Sequence, residues 1–298
     1  MHGFIQKVQK QLREHQLLSE SDRVVAAVSG GPDSVAMACA LAALQVPLHL
    51  AYVNHGTRPE TETEAAFVAT LATRLGAGFS ALSCHPASRS EGDMRAARYA
   101  ALDTLDADRI ATAHTASDQA ETVLLRMMRG SGTAGLSGIP PQRGRYIRPL
   151  LRITRDEVCA YLAQSGQAYC TDPTNASLDP LRNRVRHVLL PLLEEQFQPK
   201  IRQVLTRLAD VARRDRACLE ALAQEHLALH GLAIEPLLGA APGLWPHVLR
   251  ACCPVPISEE RMMAIGRLLN AREGIVQLEG GLFVRVEGKP STVVFGSV

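Results

Sequence analysis

The chain has 298 residues, 46% of them hydrophobic, a formal net charge of +2 and seven cysteines. Its length and apolar content point to two domains with sizeable cores, and so small a net charge gives no ground for a nucleic-acid partner. The cysteines at 39, 84, 159, 170, 218, 252 and 253 are odd in number, scattered and without C-x-x-C spacing, which argues against a disulfide framework or a Cys₄ zinc site and for a reducing, cytoplasmic compartment. Residues 1–18 read as an amphipathic helix with no apolar signal core, and no stretch is long and charge-free enough to span a membrane.

Beyond that helix, buried strands are predicted at 23–28 (RVVAAV), 48–53, 79–83 and 109–113. Helices are predicted at 34–44, 63–75 and 94–105, where apolar residues recur every three or four positions. The alternation predicts an α/β fold, a parallel Rossmann-like sheet covered on both faces. Ligands of such sheets bind beyond the carboxyl ends of the strands, which lines up loops 29–34, 54–58 and 114–121 along one edge. A further helix begins at about Ser117. Past Gln196 the alternation stops, and a long helix runs from about Pro199 towards His230. Breaks follow at Ala241-Pro242-Gly243 and Pro254-Val255-Pro256, and 275–286 with 291–295 read as a terminal hairpin pair. The expected division is residues 1–197 as the sheet domain and 198–298 as a linker helix plus a smaller, mostly helical or mixed domain. No internal repeat or low-complexity tract is visible.

The most informative loop is Ser29-Gly30-Gly31-Pro32-Asp33-Ser34, placed between the first strand and its helix. Gly30 and Gly31 let the backbone turn sharply and approach a ligand, and Pro32 suits a first helical turn. Backbone amides and the helix dipole then converge on one point that suits a phosphate or pyrophosphate. The commoner nucleotide loop, G-x-x-x-x-G-K-[ST], supplies a lysine for the phosphates, and none follows here. Asp33 stands in a cation's place. A carboxylate beside phosphates calls for a divalent metal between them, so Asp33 points to Mg²⁺ held jointly with a nucleotide. The plainer reading is a helix cap.

A second constellation is His114-Thr-Ala-Ser-Asp118-Gln119-Ala-Glu121-Thr122. Asp118 and Glu121 are three apart, which places both carboxylates on one face near a helix amino end, ready for an ammonium group. The plainer reading is a capping box with Ser117 as the cap. His226 and His230 lie at i and i+4, but not as H-E-x-x-H, and read as ordinary helix-face residues. Cys252 and Cys253 read as buried small hydrophobes.

S-G-G-P-D-S resembles the pyrophosphate-loop signature S-G-G-x-D-S of the N-type ATP pyrophosphatases, which cleave ATP between the α- and β-phosphates to adenylate a substrate. H-x-x-x-D-Q-x-E-T followed by Arg129-Gly130-Ser131-Gly132 resembles one branch of them, the tRNA(Ile)-lysidine synthetases. Further segments are similar to the same branch: 53–60 (VNHGTRPE), Arg95-Ala-Ala-Arg98-Tyr99, Arg148-Pro149-Leu150-Leu151, Asp172-Pro173-Thr174-Asn175, Arg182-Asn183-Arg184-Val185-Arg186 and, more weakly, 276–285. Thr115 and Ser117 depart from the His and Asp common in that family.

The resemblance implies a PP-loop ATP pyrophosphatase domain at 1–197 and tRNA recognition at 198–298. It also implies ATP-dependent ligation of free lysine to C2 of the wobble cytidine in tRNA(Ile) with a CAU anticodon, through an adenylated cytidine, with release of AMP and pyrophosphate. Ser29, Gly30, Gly31, Pro32, Asp33 and Ser34 would then hold ATP, Asp33 would share Mg²⁺ with it, and Asp118 and Glu121 would bind lysine. Arg95 and Arg98 become candidates for stabilising phosphate charge, although both also fit a solvated helix face. His114 becomes a candidate for contacting phosphate or relaying a proton.

For tRNA the candidates are Arg182, Arg184, Arg186, Arg207, Arg213 and Arg214, because 181–216 carries nine Lys or Arg against four Asp or Glu. A solvated helix would look the same. No membrane partner is expected, and a homodimer is left open. Two other classes stay in view: a 2-thiolation enzyme of the same fold, disfavoured by the missing C-x-x-C, and a non-catalytic nucleotide-binding module, which would leave the acid pair without a purpose.

Overall fold

Strands that are apolar without alternation need cover on both faces, and the sheet built by the first half of the chain has it. The computed structural model describes residues 2–54, 61–88, 90–171, 181–239, 243–287 and 292–297. Two compact units divide it, Met1–Val211 and Ala212–Val298.

In the first unit, helix α1 (His2–Glu14) precedes β1 (Val24–Ala27), α2 (Pro32–Ala43), β2 (Leu48–Asn54), α3 (Thr61–Leu75), β3 (Gly78–Ser83), α4 (Glu91–Asp103), β4 (Arg109–Ala111) and α5 (Ala116–Met128). The short α6 (Thr133–Leu136), a hairpin of β5 (Gln142–Arg143) and β6 (Tyr146–Ile147), and α7 (Arg155–Gln164) follow. Strand order is β3-β2-β1-β4-β6-β5. Val24 of β1 sits opposite Leu48 and Arg109, in parallel register with both neighbours, and β5 runs antiparallel to β6.

Successive residues of each strand feed opposite layers, as the two-residue period of a strand requires. Val24, Ala26, Leu50, Tyr52, Ala111 and Ile147 join the core with α1, α2, α3 and α7. Val25, Ala51, Ile110 and Tyr146 join Leu102 of α4 on the other face. Helix α1 enters through Phe4, Val8 and Leu12, spaced one turn apart, and Phe4 stacks on Tyr161 of α7 with ring centroids 4.2 Å apart. Each such side chain contributes about 1.5–3 kcal/mol when fully buried. Between β1 and β4 the chain departs in opposite directions along the sheet. The loops that follow these two strands therefore splay apart and leave a crevice at their carboxyl ends.

The expected α/β architecture is present, with the predicted strands and helices in place and small shifts at their ends. The β5–β6 hairpin and α7 lay outside the expectation. Two-residue strands offer no period to detect, yet Ile147 is fully buried and extends the parallel sheet beside β4.

A helical run follows, made of α8 (Leu181–Arg184), a π-helical segment Val185–Leu189 and α9 (Leu190–Gln196). Pro191 lacks an N–H, and Leu190 closes the wider i→i+5 bond to the Val185 carbonyl. Val185 and Leu190 pack with Ala120, Val123 and Leu124 of α5 and with Leu205 and Ala209 of α10 (Ile201–His230).

In the second unit, α11 (Ile234–Gly239), α12 (Trp245–Cys252) and α13 (Glu259–Ala271) surround a core of Leu237, Val248, Leu249, Ile265, Leu269 and Val284. An antiparallel sheet β7 (Ile275–Gln277), β8 (Leu282–Glu287), β9 (Thr292–Ser297) closes it. The predicted terminal pair is thus two hairpins, because Gly280 and Gly281 at φ +67° and +75° fold the first segment back.

All seven cysteines are free thiols. Cys252 and Cys253 are half-buried rather than buried, since they lie at the end of α12, where the chain leaves the core. Among the described residues no group of three or more His, Cys, Asp or Glu is arranged to hold a metal, and no helix is long and apolar enough to cross a membrane.

Candidate active site

The crevice is built first from the loop after β1. Gly30 takes φ +84°, its carbonyl accepts from the Cys170 N–H at 2.9 Å, and a Cβ there would lie 3.1 Å from the Cys170 Sγ. The left-handed conformation favours glycine here, and a Cβ would crowd the Cys170 thiol. The Ser34 hydroxyl donates to the Gly31 carbonyl at 2.8 Å and accepts from the Ser29 N–H at 3.2 Å, which ties the turn across itself. Helix α2 begins at Pro32 with extended Gly31 as N-cap and no side chain capping it. Its first-turn N–H groups thus lie at the positive end of the dipole without a capping acceptor, as an anion cradle requires.

Asp33, in that first turn, pairs with Arg155 at the start of α7 through Oδ2. Its Oδ1 is buried without a hydrogen-bond partner. Burial pushes the Asp33 carboxyl up to about 6, against the pull of Arg155 and with the help of Asp118. A buried, unpaired carboxylate oxygen beside a phosphate cradle suits a divalent cation that takes its remaining ligands from phosphate and water.

The loop after β4 supplies the second half. Thr115 caps α5, so the cap is Thr115 and not Ser117, and Asp118 Oδ2 accepts from both the Thr115 N–H at 2.8 Å and the Thr115 hydroxyl at 2.9 Å. Capping therefore occupies one oxygen of this carboxylate and leaves the other, Oδ1, to face other partners. Asp118 Oδ1 accepts from Arg182 and Arg186, each at 3.1 Å. Glu121, fully buried, accepts from Arg182 Nε at 2.9 Å on Oε2 and from Arg186 Nε at 2.6 Å on Oε1. Burial alone would raise the Asp118 carboxyl; His114, Arg182, the Thr115 N–H and Arg186 hold it below its usual range. Burial likewise opposes the charge on Arg186, but Glu121, Asp118 and then Asp33 hold its guanidinium above the usual value.

Arg182 and Arg186, expected on tRNA phosphates, are thus turned onto the acid pair, while Arg184 between them is exposed. Helical spacing explains it, since i and i+4 share a face and i+2 does not. Arg207 and Arg214 are exposed on α10 and Arg213 is half-buried.

Arg95 bonds the Tyr99 hydroxyl at 2.9 Å, with its guanidinium 4.9 Å from the Tyr99 ring centroid. Burial first, then Arg95, holds the Arg98 guanidinium below its usual value. Arg148 is 2% exposed, donates to the Pro140 carbonyl at 2.7 Å and keeps a buried Nε without partner. It joins Arg95 and Arg98 around His114, whose pKa is pushed down to about 3 by burial and by the three guanidiniums, against Asp118. His114 Nδ1 lies 3.1 Å from the Thr112 hydroxyl. The ring therefore stays neutral and does not titrate in the physiological range that its residue type suggested. Arg148 gave only a motif as signal, and Arg155 gave none, because its partner is 122 residues away.

Gln119, fully buried, explains the centre of the D-Q-x-E motif: its amide accepts from the Ile139 N–H at 2.6 Å and donates to the Ile139 carbonyl at 3.2 Å. It pins the glycine-rich segment after α5. Residues 55–60 and 172–175, quoted from the sequence, lie outside the described residues.

The PP-loop domain family matches residues 2–193, which takes in both loops and the acid pair. The tRNA(Ile)-lysidine synthase of Symbiobacterium thermophilum is 39% identical over 76% of this chain, and the chain spans 51% of that relative's length. The same-named protein of Leifsonia xyli subsp. xyli is 34% identical over 89% of this chain and 88% of its own length. Among solved structures, a U34-tRNA thiolase from Methanococcus maripaludis superposes with a TM-score of 0.56 at 20% identity, covering 70% of this chain and 79% of that one, a likeness of fold. With the PP-loop match running through the crevice and a relative aligned along nearly its whole length, the chain belongs to the tRNA(Ile)-lysidine synthase family of PP-loop proteins.

Proposed function

We propose that this protein joins free lysine to C2 of the wobble cytidine of a tRNA(Ile) with a CAU anticodon, consuming ATP and releasing AMP and pyrophosphate. The observation that carries the reading is the meeting of two half-sites in one crevice: Asp33 of the phosphate cradle is under the electrostatic influence of both Asp118 and Arg186 of the acid cluster. An adenylation site so close to an ammonium-binding site suits a reaction in which the amine attacks the activated carbon directly.

The amides of 29–34 and the α2 dipole hold the pyrophosphate portion of ATP. Asp33 is the residue that would hold Mg²⁺, and the ion would supply neutralisation of the charge developing as the α–β bond of ATP breaks. Arg95, Arg98 and Arg148 present positive charge beside His114, which acts as a neutral hydrogen-bonding group. Asp118 and Glu121 grip an ammonium end of lysine. Arg182 and Arg186 hold these carboxylates oriented until that ammonium takes over hydrogen bonds from a guanidinium. Arg184, Arg207, Arg213 and Arg214 remain the candidates for tRNA phosphate.

The test is incubation of the protein with radiolabelled lysine, ATP, MgCl₂ and unmodified tRNA(Ile). One lysine per tRNA is expected, matched by one AMP. Absence of lysine from the tRNA while the protein still binds ATP would overturn the reading.

A further inference from the structure

We propose that Arg155 is the phosphate-binding cation that the loop 29–34 lacks, and that it contacts the pyrophosphate portion of the nucleotide. The inference rests on the reading of that loop as a pyrophosphate cradle.

The common nucleotide loop carries a lysine directly after its glycines. This loop carries Pro32, Asp33 and Ser34 instead and contains no basic residue. Asp33 makes the deficit worse by adding a negative charge at the place where a polyanion must sit. The fold brings a guanidinium to that point from 122 residues away, where Arg155 pairs with Asp33 Oδ2. Its position is firmly set. Thr154 caps α7, with its N–H donating to Glu157 Oε2 at 2.8 Å, and Val158, Tyr161 and Leu162 of α7 share a core with Val35 and Met37 of α2. Arg155, the first residue of α7, is thereby held over the first turn of α2.

The two oxygens of Asp33 are used unequally. Oδ2 holds Arg155, whereas Oδ1 is buried and without a partner. One carboxylate can therefore serve a cation on one oxygen and keep the guanidinium on the other, so that both positive charges border the cradle. The Arg155 side chain is 49% exposed, which leaves part of its five-donor fork open to solvent and to an incoming ligand. A planar fork matches phosphate oxygens two at a time. Arg155 acts on the departing pyrophosphate and has no business with the adenosine part.

Binding of inorganic pyrophosphate and, separately, of AMP is measured by titration calorimetry in MgCl₂ for wild type, Arg155→Ala, Arg155→Lys, Asp33→Asn and the double variant Asp33→Asn/Arg155→Ala. Thermal unfolding checks that each is folded. Arg155→Ala is expected to weaken pyrophosphate binding about 10–100-fold, the loss of one or two charge-assisted hydrogen bonds, and to leave AMP binding within about two-fold. Arg155→Lys should recover part of the loss. In the Asp33→Asn background the alanine substitution should still weaken pyrophosphate binding about ten-fold. Unchanged pyrophosphate binding in folded Arg155→Ala overturns the assignment. So does an Arg155→Ala effect that vanishes once Asp33 is neutral, because Arg155 would then act only on Asp33. A wild type that does not bind pyrophosphate fails at the earlier step, the reading of the loop itself.

Discussion

At the level of single residues, the acid pair carries the specificity of the proposed site. Every oxygen of Asp118 and Glu121 is engaged by Thr115, Arg182 or Arg186. On the proposed reading, lysine must compete for those oxygens with its own charge, so an uncharged replacement should be felt at once. Asp118→Asn and Glu121→Gln are each expected to raise the lysine KM about 10–100-fold while the ATP KM stays within about two-fold, measured by steady-state kinetics with each substrate varied. An unchanged lysine KM in both would remove the ammonium pocket from the scheme. His114 gives a pH prediction. Its value is about 3 in the fold against 6.5 in the unfolded chain, so between these values the unfolded state holds the extra proton. The corresponding stability is fully present above about pH 6.5 and is lost as pH falls. The unfolding midpoint of wild type should therefore drop further between pH 7 and pH 5 than that of His114→Gln.

The elements show where a motif does structural rather than chemical work. Gln119 lies in the middle of D-Q-x-E, yet both ends of its amide are spent on Ile139. Gly138, beside it, sits at φ +61°, and a Cβ there would come within 2.6 Å of the Gln119 side-chain oxygen. Gly138→Ala should therefore cost roughly 2–4 kcal/mol, combining left-handed strain with a buried clash. A fall of several degrees in the unfolding midpoint is expected, and a midpoint unchanged within a degree would show that the segment gives way freely. Strand–loop–helix units such as β1 to α2 were legible in the sequence because burial and periodicity are local. The β5–β6 hairpin was not, since strands of two residues carry no period. Nor could the π-helical turn be read, although Pro191 removes the N–H that a regular helix would need there.

For the whole molecule, charge must be counted where it is exposed. Arg184, Arg207 and Arg214 are exposed, whereas Arg182 and Arg186 are committed to carboxylates. Replacing the three exposed arginines by alanine, one at a time, should each reduce the slope of log K against log salt for tRNA binding by about 0.7–0.9. Filter binding across a salt series measures this, and slopes equal to wild type would take the arginines out of the interface. The sequence by itself determined the phosphate cradle, the acid pair and the alternating architecture. Each depends on residues within a few positions of one another, where backbone geometry allows few outcomes. Only the tertiary structure decided what those groups face. It set Arg182 and Arg186 on the acid pair from 61 to 68 residues away, Arg155 on Asp33 from 122 residues away, and three guanidiniums around a neutral His114. Charge pairing across a crevice follows from the packing of distant helices, and no local pattern records it.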